Sequence, residues 1–87
     1  MDKLEQIESY IMDEIDGAWE YLACSEKIQK YKSTFIEMAK DELSHAEAMQ
    51  SILNDILKGS MDEKKNAVIE FLITVNNHNI EKVKAKL

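Results

Sequence analysis

The segment Asp41-Glu42-Leu43-Ser44-His45-Ala46-Glu47 places a carboxylate and an imidazole three residues apart. On a helix, residues at i and i+3 share one face, and Glu-x-x-His is one way helical bundles offer two ligands to a metal ion. In a chain with 11 Glu and two His the spacing carries little weight alone. Its surroundings add to it. At about 100° per residue, Phe35, Met38, Ala39, Ala46, Met49, Ile52, Leu53, Ile56 and Leu57 fall in one arc, with Glu42 near its centre and His45 toward one flank. Glu37, Asp41, Ser44, Ala48, Ser51 and Asp55 take the opposite, solvated side. A carboxylate in an apolar stripe needs a compensating partner, because burying it unpaired costs several kcal/mol or shifts its pKa until it is neutral. A metal ion is one such partner. The other reading has Glu42 and His45 pair with each other, or with a lysine such as Lys40, at the stripe's edge.

A second acidic residue lies on a greasy face upstream. Leu4, Ile7, Ile11, Ile15, Ala18 and Leu22 recur at helical spacing, and Glu14 falls within their arc beside Tyr10, Ala18 and Tyr21. Asp13, Asp16 and Glu20 project from the other side. Gly17 within this helix costs about 1 kcal/mol relative to Ala and indicates a close approach by another backbone or a large side chain. Trp19, at the stripe's margin, reads as packing against a third helix or a second subunit.

These pieces define the elements that must hold them. Helix A spans about residues 3–28 with Asp2 as its cap and Glu5 three residues on. Helix B spans about 34–58, opened by a capping box over Thr34-Phe35-Ile36-Glu37. Their short connection makes an antiparallel hairpin. The midpoint between Glu14 and Glu42 is residue 28, and that between Glu14 and His45 is 29.5, so all three lie at one height. Glu20 with Glu42 also gives a tolerable register and is the reserve ligand. After Lys58-Gly59, a stop signal, Ser60-Met61-Asp62-Glu63 opens helix C, about 61–86, with a stripe of Val68, Phe71, Leu72, Val75, Asn79 and Val83, widened by Ile69, Ile73 and Ile80. Helix C carries no Glu-x-x-His, and His78 on its flank reads as a surface residue.

Composition agrees with an all-α single domain. The 87 residues contain no proline and two glycines, with abundant helix-forming types. The net charge of −6 and the absence of arginine exclude nucleic acid and anionic membrane as natural partners. Cys24 is the one cysteine and cannot close an internal disulfide. No apolar run reaches the roughly 18 residues of a membrane span, and no secretory-type segment opens the chain. A cytoplasmic protein is expected.

Glu14 followed seven residues later by Tyr21, then Asp41-Glu42-Leu43-Ser44-His45-Ala46-Glu47 on the second helix, resembles the first helical hairpin of the ferritin and rubrerythrin superfamily over roughly residues 4–57. The resemblance implies Glu14 as the first-helix metal ligand, Glu42 as the bridging carboxylate, His45 as the nitrogen ligand and Tyr21 as a hydrogen-bond donor behind them. It implies iron, or alternatively manganese, as the metal. Two features depart from the pattern: the A-to-B connection is short, and a second Glu-x-x-His is missing. Full-length members build their site from four helices of one chain. Here two-fold dimerisation into a ferritin-like four-helix core is the expected way to supply the other half, giving a homodimer or a multiple of one. The expected function is a di-iron carboxylate site between two subunits, with ferroxidase-type Fe(II) oxidation or iron handling. From a different class comes a metal-free helical structural or protein-interaction module, of accessory or phage-type assembly kind, on the same fold.

Overall fold

The computed structural model describes residues 3–87. Three α-helices make up the chain: α1 (Lys3–Lys27), α2 (Lys32–Gly59) and α3 (Glu63–Lys84), with a 3-10 turn at Gln29–Tyr31 between the first two and no strand among the described residues. At about 1.5 Å per residue the 28-residue α2 is about 42 Å long. It sets the length of a molecule measuring 51 × 24 × 15 Å.

Helix α1 buries Ile11, Ile15, Ala18 and Leu22, the stripe its periodicity predicts, with Leu4 and Ile7 packed at its edge. Ser25 continues the same face into the interior, where its hydroxyl donates to the Leu22 carbonyl at 2.6 Å. The helix ends at Lys27. Ile28 breaks it with φ −117° and ψ 78°, and a single 3-10 turn leads into α2. The predicted capping box is not what opens α2: Thr34 and Glu37 lie inside the helix, which begins at Lys32 behind Tyr31 with no side-chain cap. The 3-10 turn feeds directly into the helical spiral, so no separate cap is required there. The Asp2 cap lies outside the described residues.

The inward face of α2 is Ala39, Leu43, Ala46, Gln50 and Leu53. This face is rotated from the arc of the helical wheel: Leu43 and Gln50 are buried, while Met38 and Ile52 remain 36% and 43% exposed. Gly59 is the last residue of α2 and does not take a left-handed conformation; the chain leaves through extended Ser60 instead. The turn is then tied tightly. The Asp62 carboxylate accepts from the Lys64 and Lys65 amides, both at 3.1 Å, as an N-cap. The Ser60 hydroxyl accepts from the Asp62 amide, and Asn66 donates back to the Ser60 carbonyl.

Helix α3 returns antiparallel to α2 and buries Ile69, Asn76, Ile80 and Val83. Of the expected stripe, Val83 and the widening residues Ile69 and Ile80 are buried, whereas Val68, Phe71 and Val75 face outward, with Phe71 66% exposed. Polar contacts fix this rotation. Asn76, buried, donates to Glu8 of α1 at 3.0 Å. Gln50 of α2, also buried, donates to Asn77 and, at 3.4 Å, to the Ile73 carbonyl. Lys84 ties the far end by ion pairs to Glu47 of α2 at 3.3 Å and Glu81 at 3.7 Å. Burial raises the Glu8 pKa, against the lowering effect of the Asn76 hydrogen bond.

The two faces of α3 predict contrasting costs. Ile69→Ala removes a fully buried side chain and should cost about 2–4 kcal/mol, whereas Phe71→Ala should cost under about 0.5 kcal/mol at concentrations where the chain is monomeric. Urea unfolding of both variants reads the difference. A larger loss for Phe71→Ala would mean that α3 packs through its other face.

Candidate metal centre

Glu14, Gly17 and Tyr21 follow one another at helical spacing along one side of α1, and Met38, Glu42, His45, Met49 and Ile52 do so on α2. Antiparallel pairing of the two helices brings the sets together. One ligand-type atom from each of Glu14, Glu42 and His45 can be chosen so that the three lie within 4.8 Å of one another. Donor atoms bound to a single ion at about 2.1 Å stand roughly 3–4 Å apart. Small side-chain rotations therefore suffice to close the three around a cation.

The contacts within the cluster are specific. His45 Nδ1 lies 3.2 Å from Glu14 Oε2. Lys40 pairs with Glu37 at 3.6 Å and takes no part. The pairing of Glu42 with His45 or Lys40 that sequence allows is thus replaced by a Glu14–His45 pair, with Glu42 set against Glu14. A hydrogen bond to Glu14 raises the Glu42 pKa most, followed by its own desolvation and the charge of Glu14; His45 lowers it, and Asp41 adds a smaller upward push. Two carboxyl groups this close share a proton more readily than they ionise together.

Burial differs across the three. The Glu14 side chain is 27% exposed and that of His45 is 61% exposed, and Glu42 is half-buried. Glu42 is therefore at the margin of the α2 core face, not at its centre. The cluster sits on an open α1–α2 surface rather than in a closed cavity. Tyr10 and Met38, exposed on α1 and α2, share that surface, and Tyr21 stacks on Phe35 with ring centroids 6.5 Å apart.

Glu20 and His78, both exposed, and the half-buried Cys24 lie outside the cluster. Trp19 lines a separate cleft with Leu22, Lys32, Ile36 and Lys86. A wider cleft of about 520 Å³, between the first turns of α1 and α3, is lined by Leu4, Glu5, Glu8, Lys65, Val68 and Leu72 and lies apart from the Glu-His cluster. Sequence reading missed the buried Gln50 and Asn76 and the half-buried Glu8. The available signal was the spacing Ile69, Ile73, Asn76, Ile80 and Val83, which is as regular as the stripe first chosen on α3. No helix among the described residues is long and apolar enough to cross a membrane. Comparison of the chain with protein-family models, curated proteins and solved structures finds no match.

The raised Glu42 pKa has a definite sign in stability. The native carboxyl holds its proton to higher pH than the unfolded one. Its contribution is therefore present at and below the ordinary Glu value, about 4.3, and is lost as pH rises through the higher native value. Glu42→Gln lacks this component. Melting temperatures of the two proteins followed from about pH 4 to about pH 8 should diverge in the variant's favour as pH rises. A constant difference would show that Glu42 titrates like a surface carboxylate.

Proposed function

We propose that the chain is a ferritin-like metal-binding protein whose di-iron carboxylate centre forms between two copies. The observation that carries this reading is the convergence of Glu14, Glu42 and His45 from two helices on a face that α3 leaves open. Two such faces related by a two-fold axis give four carboxylates and two imidazoles, the ligand set of a di-iron carboxylate site in a four-helix bundle. Tyr10, Met38 and Ile52, each more than a third exposed on the same sides of α1 and α2, are apolar surface that such a dimer would cover.

The residues divide the work. Glu14 and His45 hold one another in position, and Glu42, free of any lysine, is the carboxylate available to bridge. A ligand set of carboxylates and imidazole without thiolate suits iron or manganese. Iron bound there supplies one-electron chemistry with oxygen, the basis of ferroxidase activity. For this chain's own groups, binding requires that Glu42 release its proton, so affinity rises with pH. A covered site would also strengthen each charge interaction by excluding water.

A second reading has one observation in its favour. The Glu14–His45 pair, and a Glu42 pKa raised in favour of its neutral form, ease the charge of the cluster without any ion. A metal-free helical interaction module would look the same at this site.

Melting curves separate the two. If Glu42 is present to bind metal, Glu42→Leu removes a repulsion and adds apolar contact, so the metal-free variant should melt at or above the wild-type temperature. Added Fe(II) or Mn(II) should stabilise the wild type by about 2.7 kcal/mol at a hundredfold excess over Kd and leave the variant unaffected. Destabilisation by Glu42→Leu, with no metal effect on wild type, sinks the proposal. Sedimentation supplies the other half: the metal-bound protein should run at twice the 10.1 kDa chain mass or a multiple of it. A monomer at millimolar concentration with metal present rules out a site shared between copies.

A further inference from the structure

A glycine in the middle of a 25-residue helix, with ordinary helical backbone and no left-handed angle, has no conformational reason to be there. Gly17 is such a residue. A Cβ built on it would stand 2.9 Å from Glu42 Oε2, 3.4 Å from Cδ and 3.6 Å from Cγ of the same side chain. These are its three nearest neighbours, so what fills the missing side chain's space is the end of Glu42 and not the backbone of α2. The first of those distances is shorter than real Cβ contacts tolerate, while Glu42 is flexible enough to swing away.

We propose that Gly17 is a positioning residue: a notch in α1 through which the Glu42 carboxylate reaches Glu14. Without the notch Glu42 must turn toward solvent, and the cluster loses its bridging member while Glu14 and His45 remain paired. This role rests on the metal-site reading only for its consequence in binding; the notch itself is a property of the metal-free protein. It also gives a reason for a glycine at a position where alanine would favour the helix. Residues Ile15 and Ala18 on either side are buried against the core, and the glycine lies on the adjoining, half-buried strip, where an alanine would otherwise be unopposed.

Two measurements test it. The first is a double-mutant cycle in metal-free protein, comparing Gly17→Ala in the wild type with Gly17→Ala in a Glu42→Ala background. If Gly17 makes room for Glu42, the change in melting temperature differs between the two backgrounds, because only one of them contains a carboxylate to displace. In Glu42→Ala the three atoms nearest the new methyl group are gone, and the helix gains stability. Equal effects in the two backgrounds overturn the notch. The second is calorimetric titration with Mn(II). Gly17→Ala should bind at least tenfold more weakly than wild type while melting no lower in the absence of metal. Equal affinity with a binding wild type overturns the positioning role. A wild type that binds no Mn(II) or Fe(II) overturns the proposed function, and the cycle then decides the notch independently. A variant that melts well below wild type in both backgrounds identifies Gly17 as a packing contact and overturns the proposal too.

Discussion

The packing of α1 against α2 is the contact on which the other features depend. Ala18, Ala39 and Ala46 are all fully buried. Small residues at a helix crossing let two axes approach toward the short end of the 8–10 Å range. Ile11, Ile15, Leu43 and Leu53 fill the space above and below them. Exchanging one of these alanines for a larger residue would overpack the inner face, and the 3.2 Å contact between His45 and Glu14 depends on the two helices staying in place. The alanines thus serve the polar cluster as much as the core. They occupy the inner faces of the two helices while the cluster occupies the adjoining outer strip.

That strip combines groups that a core would reject. Two carboxylates and an imidazole stand among Tyr10, Tyr21, Met38 and Ile52, on a surface too apolar for a purely solvated patch and too charged for an interior. The raised Glu42 pKa favours a neutral carboxyl beside Glu14, which lessens the charge to be solvated in the isolated chain. A proton is a weak partner compared with a dication. The cluster is consequently more sensitive to its surroundings than anything in the α1 core, and covering it with a second apolar surface raises the stakes of every charge it holds.

Much of this was legible in the residues, and the parts that were not fail for identifiable reasons. The stripe of α1 stood out because apolar residues occupy one face and acids the other. The hairpin register followed from it, and Glu14 meets His45 where the turn position requires. On α2 the apolar residues are more numerous than one face can hold, so the wheel averaged over a buried set and an exposed set and centred on Glu42, between them. Leu43 and Gln50 were the residues lost in that average. The start of α2 was misplaced because Thr34 and Glu37 have capping-box spacing, and spacing does not reveal that a 3-10 turn has already begun the spiral. On α3 two equally regular stripes lie about a quarter-turn apart. Only the partner helices decide which one turns inward.

That ambiguity gives the buried amides their significance. An α3 rotated to put Val68, Phe71 and Val75 inside would deprive Glu8 and Gln50 of the hydrogen bonds that Asn76 and Asn77 make to them. The amides act as a password for docking. Greasy contact alone chooses poorly between two apolar stripes. The password favours the orientation seen here, and the outer stripe stays open to whatever lies beyond the chain.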